Sequence, residues 1–321
     1  MPKFVFMPPQ DELKKEFASR LADTLPDYEV RSPETDEEAL TEITDADAAM
    51  GWIPPESLKA AKNVKWLHNP DSGPFFGYYY DELMDHPLTI TNPRGIYWDH
   101  ISHHILMFVL SLSRGLPWYE KARQGRIYDK SVRKSPYLYL GNSVALINGV
   151  GGIGHETARL LMEFGVTVIG VDPNPSYHVE GMEIHSPDKL NELLPKADFV
   201  ITTVPHTPAT EFTFNAETFA LMKDTAYFIN IGRGMVCKID DLADAIESGS
   251  IAGCGLDVYE IEPFPSDHKL WGLDNVLMTP HVAIVDAENI PERRFEILLD
   301  NAKLFLSGGE LKNIVDKETW C

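Results

Sequence analysis

The chain has 321 residues, 44% of them hydrophobic, and a formal charge of −21. That length suffices for two domains, each with its own core. The acidity argues against nucleic acid, whose phosphates call for a basic face, and no apolar run reaches the roughly 18 residues of a membrane span. The three cysteines, Cys237, Cys254 and Cys321, lack C-x-x-C spacing, so neither disulfides nor a structural metal are expected. The first residues hold too short an apolar segment for a secretory signal, and a cytoplasmic location is the expectation.

Lys3 to Met7 predicts a strand, and Asp11 to Leu25 an amphipathic helix with Leu13, Phe17, Leu21 and Leu25 at a spacing of four. Strand–helix alternation continues through Ala48–Trp52, Glu56–Ala61, Val64–His68 and Leu88–Asn92, punctuated by Pro54-Pro55, Asn69-Pro70, Gly73-Pro74 and Asn92-Pro93. The first segment is therefore a small α/β domain. Ile101 to Leu112 then reads as a long apolar helix ending near Gly115. Trp118 to Asn142 is polar, aromatic and weakly periodic, either an arm lying on another subunit or a surface loop.

The stretch Ser143 to Asp172 is the most informative. Val144–Ile147 is an apolar run short enough for one buried parallel strand. Gly149, Gly151 and Gly154 follow as G-x-G-x-x-G, with Gly152 and Ile153 between them; then come a helical pattern stopped by Gly165 and a second apolar run, Val166–Val171, ending on Asp172. The glycines serve a tight turn, a close approach of backbone to a pyrophosphate, and tight packing of helix on strand. The anion would sit on the helix N-terminus, and Asp172 is placed to accept the adenosine ribose hydroxyls. The whole unit predicts dinucleotide binding. A carboxylate at 172 repels a 2′-phosphate and no cation follows it, which favours NAD over NADP.

Strands are expected at 143–148, 166–171, 198–204, 226–231, 252–258 and 276–279. Helices lie between most of them, including Asn215–Met222 capped by Asn215 and Asp240–Glu247 closed by Gly249. Six alternating strands make a doubly wound parallel sheet of the Rossmann type. The last helix, Pro291–Leu306, carries Phe295, Leu298, Leu299, Ala302 and Phe305 on one face and is expected to return to the first domain. The expected division is 1–99 with 290–321 as one domain and 100–289 as the dinucleotide domain.

Ligands of such sheets lie beyond the carboxyl ends of the strands. There the sequence places Arg233 between Gly232 and Gly234, Asp257 with Glu260 and Glu262, and the Pro280-His281 pair. A guanidinium fork can hold a carboxylate and a ketone oxygen. A histidinium can protonate the oxygen of a reduced ketone, and a carboxylate beside it fixes the ring's tautomer.

N-I-G-R-G (230–234), G-L-D-V-Y-E-I-E-P (255–263) and T-P-H-V-A (279–283) resemble motifs of the D-isomer-specific 2-hydroxyacid dehydrogenases. So do V-P-H-T-P-A-T (204–210), L-W-G-L-D-N-V (270–276) and L-T-I-T-N-P-R-G (88–95). The resemblance implies a Rossmann-type NAD domain plus a smaller flavodoxin-like substrate domain built from both chain ends, with the active site in the cleft between them. It implies Arg233, Glu262 and His281 as the catalytic triad, Glu262 rather than Glu260 being the matching carboxylate. Val204, Pro205, Thr210, Ile231, Asp257 and Ala283 fall at positions lining the cofactor. W-L-H-N-P-D-S-G (66–73) resembles the loop offering backbone N–H groups to the substrate carboxylate, with Ser72 and Gly73 as equivalents.

Departures begin after that loop. Pro74-Phe75-Phe76 and Tyr78-Tyr79-Tyr80 either enclose a bulky substrate or pack in a core or dimer contact. His103 stands where the family usually carries glutamate, and Cys237 where it often has an acid. The implied activity is NAD-dependent reduction of a small 2-oxo acid, such as glyoxylate or hydroxypyruvate, to the D-hydroxy acid by a homodimer. Two alternatives share the scaffold. One is an NAD-sensing binding protein resembling the C-terminal-binding-protein co-repressors, against which the lack of a regulatory tail speaks. The other is a dehydrogenase of formate or phosphite, against which Glu262 speaks.

Overall fold

The computed structural model describes residues 1–72, 77–134, 137–174 and 179–318. It divides into two units, Met1–Ile96 with Ala287–Cys321, and Tyr97–Asp286.

Five strands form the sheet of the first unit: β1 (Lys3–Phe6), β2 (Glu29–Arg31), β3 (Ala48–Met50), β4 (Trp66–His68) and β5 (Thr89–Thr91). All pair in parallel, in the flavodoxin-like order β2-β1-β3-β4-β5. Because side chains alternate along a strand, β1 feeds two cores. Phe4 and Phe6 pack with Phe17, Trp66, Phe295, Leu298 and Ala302, and Val5 packs with Ile43, Leu67 and Ile90. The first helix, Glu12–Thr24, starts where the Asp11 carboxylate accepts the Lys14 N–H at 2.7 Å. The last helix, Asn289–Ser307, lies on this unit through Phe295, Leu298 and Ala302, and stops at Gly308 in the left-handed conformation.

The second unit holds seven parallel strands: β6 (Val144–Asn148), β7 (Thr167–Val171), β8 (Glu183–His185), β9 (Phe199–Thr202), β10 (Tyr227–Asn230), β11 (Gly253–Leu256) and β12 (Val276–Met278). Their order is β12-β11-β10-β9-β6-β7-β8. The direction of winding reverses between β6 and β9, which makes their carboxyl ends the topological switch point. Leu146, Val200 and Phe228 face one core while Ala145, Ile147, Ile201 and Ile229 face the other. Both faces are covered, as a parallel sheet requires.

One expectation needs correction: the sheet has a seventh strand, β8. The segment from Trp118 begins within a helix, Leu116–Gln124, anchored by buried Trp118 and Ala122. Among the described residues no helix is long and apolar enough to cross a membrane.

Candidate active site

The glycine-rich turn follows β6. Gly149 adopts a positive φ of 97°, and its N–H donates to the Val171 carbonyl at 2.8 Å. A Cβ on Gly154 would stand 2.0 Å from the Gly149 carbonyl oxygen, so only glycine lets the helix Gly152–Glu163 press against the turn. On Gly151 a Cβ would meet nothing within 4 Å, and no side chain caps the helix. An open backbone and uncapped first-turn amides fit a pyrophosphate. Ile153 is half-buried beside the core.

Asp172 lies just past β7 and is buried. Its Oδ2 accepts the Val150 N–H at 2.7 Å and its Oδ1 the Asn174 N–H at 2.8 Å. The carboxylate is thereby held beside the glycine turn. Across the switch point, the Thr203 hydroxyl donates to the Gly149 carbonyl at 2.7 Å. Val204 is buried; Thr210 Oγ1 accepts the Thr207 N–H at 2.8 Å and donates to the Pro205 carbonyl at 2.7 Å, closing the 205–210 loop. His206 pairs within that loop with Glu211, at 3.6 Å.

Arg233 stands on the turn after β10. Buried Asn230 brackets it, accepting the Gly232 N–H at 3.1 Å and donating to the Arg233 carbonyl at 3.0 Å. The guanidinium Nη1 donates to the Gly232 carbonyl at 2.6 Å. Ile231 is buried at the same strand end. Close backbone contacts fix this turn on both sides. A Cβ on Gly232 would lie 2.5 Å from the Val204 oxygen, and one on Gly234 1.9 Å from the Tyr259 carbonyl.

Past β11 the acids separate by what they hold. Glu260 accepts the backbone N–H of Ile239 and so caps the helix Ile239–Glu247. Glu262 accepts the Tyr259 N–H through Oε1 at 3.0 Å, while its Oε2 lies 2.8 Å from His281 Nδ1. Asp257 is buried, and its carboxylate accepts from Thr279 Oγ1 at 2.6 Å, Val282 N at 2.9 Å and Ala283 N at 3.2 Å. Its carbonyl also accepts the His281 N–H at 2.8 Å. These bonds hold residues 279–283 in a turn where His281 takes φ 54°. That conformation costs about 1–3 kcal/mol in a residue with a Cβ, and such strain clusters at functional sites.

The structure thus gathers His281, Glu262 and Asp257 into one bonded cluster, with Arg233 on a turn packed against the Tyr259–Glu260 backbone. Three contributors escaped the sequence reading: Asn230, Thr279 and His104. His104 Nε2 lies 2.9 Å from Thr279 Oγ1. Its signal was a polar residue one turn before Phe108 on the buried face of a helix. Neighbouring His103 is exposed.

In the first unit, Asn92 Nδ2 donates to the Ser72 carbonyl at 3.4 Å, and Arg294 pairs with Asp71 at 3.0 Å. Gly73 and Pro74-Phe75-Phe76 lie outside the described residues. Tyr78 is buried, donating its hydroxyl to the Gly51 carbonyl at 2.5 Å; Tyr80 donates to the Ile53 carbonyl at 2.8 Å. Both pack against a core cluster. Cys237 is likewise a buried core residue.

Residues 106–283 match the family model of the D-isomer specific 2-hydroxyacid dehydrogenase NAD binding domain. A glyoxylate reductase of Thermofilum pendens is 32% identical over 299 residues, covering 89% of this chain and 86% of that protein. A glyoxylate reductase of Thermococcus onnurineus is 31% identical, covering 87% and 85%. Among solved structures, a D-isomer specific 2-hydroxyacid dehydrogenase from Xanthobacter autotrophicus in complex with NADPH superposes with a TM-score of 0.83 at 26% identity, covering 98% of each chain. A family protein from Aeromonas salmonicida gives 0.80 at 27% identity, covering 98% and 99%. The chain belongs to the D-isomer specific 2-hydroxyacid dehydrogenase family and is an NAD(P)-dependent oxidoreductase.

Proposed function

We propose that this enzyme reduces small 2-oxo acids to D-2-hydroxy acids with NADH, glyoxylate and hydroxypyruvate being the first candidates. The observation that carries the reading is the 2.8 Å contact of His281 Nδ1 with Glu262, on a turn whose backbone Asp257 holds. The bound nicotinamide supplies the hydride. Arg233 grips the substrate carboxylate and ketone oxygen through its planar fork. His281 gives a proton to the oxygen as it gains charge. Glu262 keeps Nδ1 protonated, so the ring presents Nε2 to substrate.

Gly149, Gly151, Gly152, Ile153 and Gly154 would hold the pyrophosphate, and Asp172 the adenosine ribose. Val204, Pro205, Thr210, Ile231, Gly232, Asp257 and Ala283 would line the rest of the dinucleotide. A structural relative is in complex with NADPH. Here the Asp172 carboxylate, fixed by two backbone N–H groups, opposes a second phosphate at the ribose, and NAD is the preferred cofactor. The segment after Ser113 exposes Leu116, Ile127, Tyr128 and Tyr139, which supports pairing of two copies there. Cys237 and Cys254, free and buried, accord with a reducing, cytoplasmic setting.

A spectrophotometric panel of oxo acids with NADH and NADPH in parallel tests the proposal. Oxidation of NADH by glyoxylate or hydroxypyruvate at a higher kcat/KM than of NADPH is expected. Silence across the panel overturns the substrate class, and preference for NADPH overturns the cofactor assignment.

A further inference from the structure

His104 occupies the buried side of the helix Trp98–Ser113, its ring edge-on to Phe108 with centroids 4.9 Å apart. Its Nε2 lies 2.9 Å from Thr279 Oγ1 and 3.6 Å from Asp257 Oδ1. The Thr279 hydroxyl has one proton, and it faces two acceptors, the Asp257 carboxylate Oδ1 at 2.6 Å and the Leu256 carbonyl at 3.4 Å. Thr279 therefore receives its second hydrogen bond from His104, which places the ring's proton on Nε2. Burial lowers the imidazole's pKa against the pull of Asp257, which favours this neutral donor. The chain of bonds continues from Asp257 to the N–H groups of Val282 and Ala283, the two residues that follow His281 in its turn.

We propose that His104 is a positioning residue for the reaction. It orients the Thr279 hydroxyl onto Asp257, and Asp257 in turn fixes the backbone from which His281 projects. The assigned role acts through Thr279 and Asp257. The role rests on the reading of His281 as the proton donor. A side chain that only fills space beside Phe108 would be replaceable by any group of similar size. A positioning donor is replaceable only by another donor, and its effect passes entirely through Thr279.

The test measures kcat for oxo-acid reduction and thermal midpoints on the full-length enzyme saturated with NADH. The variants are His104→Leu, His104→Gln, Thr279→Val, the double His104→Leu/Thr279→Val, and His281→Gln. Loss of one hydrogen bond in the chain predicts about a tenfold fall in kcat for His104→Leu. His104→Gln, whose amide can still donate, should recover most of that loss. His104→Leu should add little once Thr279 is valine, because interacting residues are non-additive. If the leucine variant does not fold, His104→Phe replaces it and must show the same fall. An unchanged kcat in His104→Leu, with His281→Gln inactive, overturns the positioning role alone, as does an undiminished effect of His104→Leu in the Thr279→Val background. Full activity of His281→Gln overturns the acid assignment, and the role of His104 with it.

Discussion

His281 Nδ1 and Glu262 Oε2 lie 2.8 Å apart although the residues sit nineteen positions apart on separate loops. The second carboxylate oxygen of Glu262 is occupied by the Tyr259 N–H at 3.0 Å, so the acid is aimed at the ring. A charge-assisted hydrogen bond is worth roughly 1.5–3 kcal/mol, and Glu262→Gln is expected to lower kcat by about 10- to 150-fold. NADH affinity, measured by fluorescence titration, should stay nearly unchanged. A variant turning over at the wild-type rate would show that Glu262 only braces its loop.

Gly234 lets two loops meet. The Arg233 turn lies so close to Tyr259 that a Cβ at 234 would fall 1.9 Å from that residue's carbonyl carbon and oxygen, both backbone atoms. Gly234→Ala should lower the melting midpoint by several degrees, since overpacking costs about 1–3 kcal/mol. It should depress kcat as well by moving Arg233 away from the Glu262 loop. Gly272→Ala, whose Cβ would meet nothing within 4 Å, is the matched control. Equal midpoints for the two would contradict the close-approach account.

Asp172 spends both oxygens on backbone N–H groups beside the glycine turn. Removing this charge should relax the discrimination against a 2′-phosphate. The NADH/NADPH ratio of kcat/KM is expected to fall at least about tenfold in Asp172→Ala, on the scale of one charged hydrogen bond. An unaltered ratio would assign the carboxylate to holding the turn alone.

His68 gives the fold a titratable weak point. It is buried in β4, its Nδ1 2.8 Å from Thr91 Oγ1, which also accepts from Trp66 Nε1 at 2.8 Å. Burial pulls its pKa down to about 3, against roughly 6.5 in an unfolded chain. Between those values the unfolded state binds the extra proton. The contribution is therefore complete above about pH 6.5 and is lost as the pH falls toward 3, with a slope of about 1.4 kcal/mol per pH unit. Denaturant unfolding of His68→Asn between about pH 4 and 6 should give a shallower dependence than wild type. Identical slopes would place the acid sensitivity elsewhere.

The central strands were readable because a parallel strand covered on both faces is a continuous apolar run, as in Phe199–Thr202 and Tyr227–Asn230. The edge strands Glu29–Arg31 and Glu183–His185 were not, since each is short, polar and half exposed. In the helix Leu116–Gln124 only Trp118 and Ala122 are buried, too few to declare a periodicity. Gly149, Gly151, Gly154 and Asp172 stood out because their spacing carries the mechanics of the turn. The Arg233, Glu262 and His281 motifs stood out because each follows a strand. What the sequence hid were the polar braces, Asn230, His104 and Thr279. Asn230 braces its own turn through Gly232 and Arg233, whereas His104 and Thr279 matter through partners far along the chain that no spacing encodes.

The most direct test of the central claim is the single-turnover rate of NADH oxidation by hydroxypyruvate in His281→Gln, with NADH Kd measured on the same protein. General acid catalysis contributes about 10²–10⁴-fold. The account predicts a loss in that range with Kd preserved within about twofold, because proton transfer is separate from cofactor binding. A hydride-transfer rate equal to wild type would contradict it, and the proton would have to come from another group.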